Sequence, residues 1–144
     1  MAVRRAFYLT HPQVTMDPTV AVPDWGLNDH GRQRAEACAA RLGDMPRTQV
    51  VTSAERKALE TGRILAAGSG RAIKVCPDMH ENDRSATGFL PQEEFQRTAD
   101  AFFANPSVSV RGWATARSAH HPLCSAVRRL PSEPPDMSIL FLCH

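Results

Sequence analysis

No apolar stretch of this 144-residue chain runs beyond a few residues, Ile139 to Cys143 being typical. A membrane-spanning helix needs about 20 in a row, so no membrane partner is expected. The four cysteines, Cys38, Cys76, Cys124 and Cys143, contain no C-x-x-C pair, which argues against a disulfide framework and against a zinc module. Each is expected to be a small buried hydrophobe. Internal repeats and low-complexity tracts are missing too. Seventeen Lys plus Arg stand against fifteen Asp plus Glu, a net charge of +2, and neither half of the chain is a basic arm or an acidic tail. The start has basic residues but too short an apolar run for a secretory signal, so a cytoplasmic protein is expected. What is present, 42% hydrophobic and 22% charged residues, suits one globular domain over residues 1–144.

Ala6-Phe7-Tyr8-Leu9, within Arg4 to Thr10, predicts a strand covered on both faces, and Pro12 stops it because proline cannot donate to a ladder. Ala35, Cys38, Ala39 and Leu42 recur at helical spacing between Asn28 and Gly43. Gln49 to Ser53 predicts a second strand, with Ser53 placed to cap a helix from Glu55 to Ala67. Gly68 to Gly70 break that helix, and Ala72 to Cys76 predicts a third strand with Ile73 and Val75 on one face. After an irregular stretch, Phe95, Ala99, Phe102 and Phe103 mark a helix begun by Pro91 and ended by Asn105-Pro106. Trp113, Ala116, Leu123, Val127 and Leu130 mark another from Gly112, with a kink or fresh start expected at Pro122. Ser138 to His144 closes the chain as a buried strand. Alternating strands and helices place the chain in the α/β class, as a three-layer α/β/α fold with a mostly parallel central sheet.

In such a sheet ligands bind beyond the carboxyl ends of the strands. Thr10-His11, Ser53 with Arg56 just beyond it, and Cys143-His144 therefore converge on one edge. Two histidines, an arginine and a helix N-terminus suit an anion such as phosphate.

Four segments carry a resemblance. Tyr8-Leu9-Thr10-His11-Pro12 stands where an Arg-His-Gly motif is found, and Trp25 to Ala35 matches the Gly-rich start of a helix. Ser53-Ala54-Glu55-Arg56-Lys57-Ala58-Leu59-Glu60-Thr61 matches Ser-x-x-x-Arg-Ala-x-x-Thr, reading Arg56 as the motif arginine and Lys57 as an insertion before the alanine. Glu81, in Met79 to Asp83, and His144 complete the set. Together they resemble the histidine phosphatase superfamily, also called phosphoglycerate mutase-like, over essentially the whole chain. The resemblance implies that His11 attacks phosphorus to form a phosphohistidine. Glu81 is then the acid that protonates the leaving oxygen and later the base for water. Arg56 and His144 hold the equatorial oxygens, and Thr10 lies at the phosphate site. No metal or cofactor is implied, and the partner is a small phosphorylated substrate or phosphate itself.

The chain also departs from the family pattern. Thr10 replaces an arginine, Pro12 a glycine, and Asp17 stands where many members carry asparagine. One preorganised donor to a transition state is worth about 10²–10³ in rate. Arg84, three residues after Glu81, is the candidate replacement cation. Family members continue past the second histidine whereas this sequence stops at His144, so a product lacking its C-terminal part is expected. Its terminal carboxylate would oppose phosphate and its last strand would stand uncovered, prone to self-association. The expected function is a metal-independent phosphatase. The alternative is a weak or inactive relative that binds an anionic ligand or a protein partner. His120, His121 and Cys124 are read as core packing rather than metal ligands, and Phe95, Phe102 and Phe103 as core rather than a substrate platform. Arg128-Arg129 is a solvated helix end, so no nucleic-acid partner is expected.

Overall fold

Short apolar runs become strands and longer amphipathic ones become helices in the computed structural model, which describes residues 5–43, 45, 48–67, 69–129 and 137–144. The expectations that rest on Arg4 and the basic start, on Gly68 as a breaker and on Leu130 in the apolar stripe lie outside the described residues. The strands are β1 (Ala6–Thr10), β2 (Thr48–Thr52), β3 (Ile73–Val75) and β4 (Ser138–Cys143). The helices are α1 (Asp29–Arg41), α2 (Arg56–Ala66), α3 (Gln92–Ala104) and α4 (Ala116–Arg129). All strand pairs are parallel, in the order β1-β4-β2-β3.

The sheet separates two apolar layers. Ile139 and Phe141 of β4 and Val51 of β2 pack against Met79 and Ala126, the latter on α4. Leu140, Leu142 and Val50 point the other way, toward Leu65 of α2 and Cys38 of α1. This is the alternation that the strand pleat requires of a sheet covered on both faces.

Position in the sheet corrects one expectation. β4, last in sequence, is not uncovered: it lies between β1 and β2, and Ile139 to Leu142 are all buried. The open edges among the described residues are β1 and β3. Tyr8 accordingly stays 63% exposed while its ring stacks on Phe141 at 5.1 Å, and Ile73 and Val75 face solvent rather than a core.

Other differences are local. α4 runs through Pro122 without interruption and begins at Ala116, because Arg111 and Gly112 adopt positive φ and turn the chain first. His120 and His121 are exposed rather than core; His120 Nε2 lies 2.9 Å from Cys124 Sγ one helical turn away. Phe102 is buried as expected, but Phe103 is not. Ser53 precedes rather than caps α2, whose N-cap position is Glu55.

The loop after β1 is clamped to the start of α1. Asn28 Oδ1 accepts from the Gly31 N–H at 2.8 Å, and Asn28 donates to the Gln13 and Val14 carbonyls. A Cβ on Gly31 would fall 2.1 Å from the Gln13 carbonyl oxygen, so only glycine lets the helix approach so closely. Gly31→Ala is therefore expected to cost about 1–3 kcal/mol, read as a lower urea midpoint. An unchanged midpoint would mean that the loop gives way freely.

Candidate active site

His11 leaves the sheet directly after β1 and His144 directly after β4. Thr10 and Cys143 are register partners, so the two imidazoles emerge side by side, with ring centroids 5.5 Å apart and planes tilted by 52°. His11 Nδ1 lies 2.8 Å from the Pro12 carbonyl oxygen. A carbonyl only accepts, so Nδ1 carries the proton and Nε2 keeps its lone pair. Pro12, which brings no N–H, thus still fixes the tautomer of its neighbour.

His144 sits deeper, its side chain only 5% exposed. Its Nε2 is 2.7 Å from Ser53 Oγ at the end of β2, and its Nδ1 is 3.8 Å from Glu55 Oε2. Burial is the largest influence on this imidazole and pushes its pKa below the usual value. Glu55 and Glu81 pull it up, Lys57 and His11 push it down, and the balance is a neutral ring.

Behind the histidines lies a charged network. Lys57, 2% exposed, places Nζ 2.7 Å from Glu55 Oε2 and 3.0 Å from Glu81 Oε2. Arg84 Nη2 meets the other Glu81 oxygen at 2.7 Å, and the Glu81 N–H donates to Glu55 Oε1 at 2.8 Å. The Arg84 guanidinium stacks 5.1 Å from the Phe95 ring centroid and 5.7 Å from that of Trp113. Burial works to raise the Glu55 carboxyl, but Lys57, His144 and the Glu81 amide outweigh it and hold the group below its ordinary range. Atoms of Glu55, Glu81 and His144 lie within 4.8 Å of one another, close enough to share a metal ion. The Lys57 ammonium already stands between the two carboxylates and supplies the positive charge there.

These shifts set a pH dependence. The folded state holds both His144 and Glu55 in their deprotonated forms, so the unfolded chain binds more protons and stability falls on acidification. Loss begins as pH drops below about 6.5, the ordinary value for histidine, and a second loss begins below about 4.5 for Glu55. Urea midpoints measured from pH 8 to 4 should show both stages, and His144→Gln should remove the first. A wild-type midpoint that is flat between pH 7 and 5 would contradict this.

The structure brings His11, Glu81 and His144 to one end of the sheet, but not Arg56. Arg56 Nε pairs with Glu60 at 2.8 Å on the outer face of α2, its side chain 60% exposed and lying over Gly26. Helical spacing explains why: Lys57, Ala58, Thr61, Gly62 and Leu65 form the buried stripe, and Arg56 and Arg63 fall outside it. Thr10 lines a different cavity of about 440 Å³, with His11, Arg34, Arg41 and Thr61. Asp17 is engaged locally, accepting from the Thr19 N–H and hydroxyl at 2.8 and 2.6 Å.

Comparison with known proteins decides the family. The superfamily description "Histidine phosphatase superfamily (branch 1)" matches residues 11–144. The chain belongs to the histidine phosphatase superfamily. A mycobacterial glucosyl-3-phosphoglycerate phosphatase superposes with a TM-score of 0.82 at 22% identity, over 98% of this chain and 74% of that one. YhfR of Bacillus stearothermophilus gives 0.78 at 17%, over 96% and 73%. The alpha-ribazole phosphatase of Shigella flexneri gives 0.72 at 14%, over 97% and 73%. At these identities the likeness is one of fold. No curated protein matches the chain.

Membership makes the register of α2 meaningful. Counted without an insertion, Ser53-x-x-x-Lys57-Ala58-x-x-Thr61 fits the superfamily pattern residue for residue, with lysine at the arginine position. The geometry agrees, since Lys57 is the cation that α2 directs inward. Glu55 and Ser53, which the motif reading left without a role, both touch His144.

Proposed function

We propose that this histidine phosphatase superfamily member is a metal-independent phosphatase acting through a phosphohistidine on His11. The observation that carries the reading is the fixed tautomer of His11, with Nδ1–H held by Pro12 and Nε2 free beside His144. Nε2 attacks phosphorus in line, the ester P–O bond breaks, and the leaving oxygen takes the proton of the Glu81 carboxyl, which enters this step in its acid form and leaves it as the carboxylate. Water then attacks the phosphohistidine and returns a proton to the Glu81 carboxylate, which releases phosphate and restores the imidazole. In this reading Lys57 and His144 hold the equatorial oxygens as their charge builds. The phosphatase names of the fold neighbours support the same class, and the mycobacterial phosphatase is also known as a complex with inorganic phosphate.

A second reading has its own support. Lys57 is shared between two carboxylates, and Thr10 brings no positive charge, so the grip on phosphate is weaker than an arginine pair would give. That favours a feebly active relative that binds an anion. Intact-protein mass after brief exposure to a labile phosphoryl donor in EDTA separates the two. A phosphate adduct that maps to the peptide bearing His11 supports the enzyme, and a folded protein that takes up no adduct from several donors supports the binder.

A further inference from the structure

The cavity of about 440 Å³ that Thr10 lines lies between the end of β1 and α1. Neither Glu81 nor His144 borders it, which sets it apart from the space where the reaction above takes place. Leu9, Pro12, Ala35 and Cys38 give it apolar walls, and Arg34 and Arg41 line it as well. No acidic side chain is among its lining residues. Arg32 and Arg56, elsewhere on the same pair of helices, share the Glu60 carboxylate, but Arg34 and Arg41 have no such partner among the described residues. Both arginines are exposed, and both keep their charge at any ordinary pH. They stand seven residues apart on α1, which puts them on one face of the helix, two turns and about 10 Å apart along its axis.

We propose that this cavity binds an extended organic dianion, an apolar body with a carboxylate at each end. Each guanidinium offers a fork of N–H donors that one carboxylate accepts in parallel, and ligand sites of this size pair apolar walls with a few such charged groups. The spacing selects by length. A short diacid reaches one arginine only, and a monoacid of any length leaves the second unpaired. The site does not depend on the phosphatase reading, because no group in it beyond His11 takes part in that reaction. His11 and Pro12 form part of its wall, so a bound dianion lies beside the two residues whose contact fixes the imidazole tautomer.

The test is calorimetry with carboxylic acids at constant ionic strength. Suberate, a diacid of matching length, should bind about tenfold tighter than succinate or octanoate. Arg34→Ala and Arg41→Ala, each on an exposed side chain with no partner to lose, should bring suberate to the affinity of octanoate without moving the urea midpoint. Arg41→Glu, which places a carboxylate against the ligand, should abolish suberate binding. The proton resonances of the His11 ring should shift as suberate is added to the wild type. Equal affinities for the three acids, undetectable suberate binding, an unmoved His11 ring, or a suberate preference retained in both alanine variants would overturn the inference. Displacement of suberate by inorganic phosphate would overturn it too, because it would put the dianion on the two histidines.

Discussion

Replacing His11 with alanine should abolish phosphate-ester turnover, with kcat falling about 10⁴-fold or more. The imidazole Nδ1 is committed to the Pro12 carbonyl, which leaves Nε2 as the ring nitrogen with a lone pair to offer. His144 cannot substitute for it, because its Nε2 already lies against Ser53. His11 is half-buried and among the described residues its hydrogen bond is to Pro12 alone, so the variant should keep its stability within about 1 kcal/mol. Phosphate affinity should fall far less than kcat, because Lys57 stays in place. A histidine with a merely structural role gives the opposite pattern, a shifted midpoint with turnover intact.

The second large effect concerns two adjacent residues. Lys57→Met should destabilise the protein by about 3–5 kcal/mol, because it leaves the buried Glu55 carboxylate facing the half-buried Glu81 carboxylate without the ammonium between them. Turnover should fall by about 10²–10³ as a donor to the equatorial oxygens is lost. Lys57→Arg restores the charge and should recover much of both. Arg56→Ala, one position earlier, breaks only an exposed ion pair with Glu60 and should cost under about 1 kcal/mol with turnover unchanged. Urea melts and initial rates on the three variants decide the matter. Loss of activity in Arg56→Ala with Lys57→Met intact would return the phosphate-binding role to Arg56.

The contrast between these neighbours shows what the sequence could tell. Apolar runs at Ala6 to Leu9 and Ile139 to Leu142 and helical stripes such as Phe95, Ala99 and Phe102 are local signals, and the elements they mark formed with shifts of a few residues at their ends. Both histidines were legible because strand ends in a parallel sheet share one edge. Lys57 was legible in principle through its spacing of four from Thr61 and eight from Leu65, but a charged residue on a buried stripe runs against expectation unless it is paired. Its partners are Glu55, two residues back, and Glu81, on a loop that no periodicity describes. Strand order was hidden as well, because sequence position does not say which strand goes to the middle. For that reason Tyr8, in a run that reads as buried, ended on an open edge.

β4 joins β1 to β2, and without it those two strands have no common neighbour in the sheet. On a growing chain, only the β2 and β3 pair can form from residues already made; β1 must wait across more than a hundred residues for Ile139 to Cys143. Pairings this distant slow folding, and they keep the apolar face of β1 unprotected during synthesis. The same delay separates His11 from His144, so the two imidazoles meet only when β4 takes its place between β1 and β2.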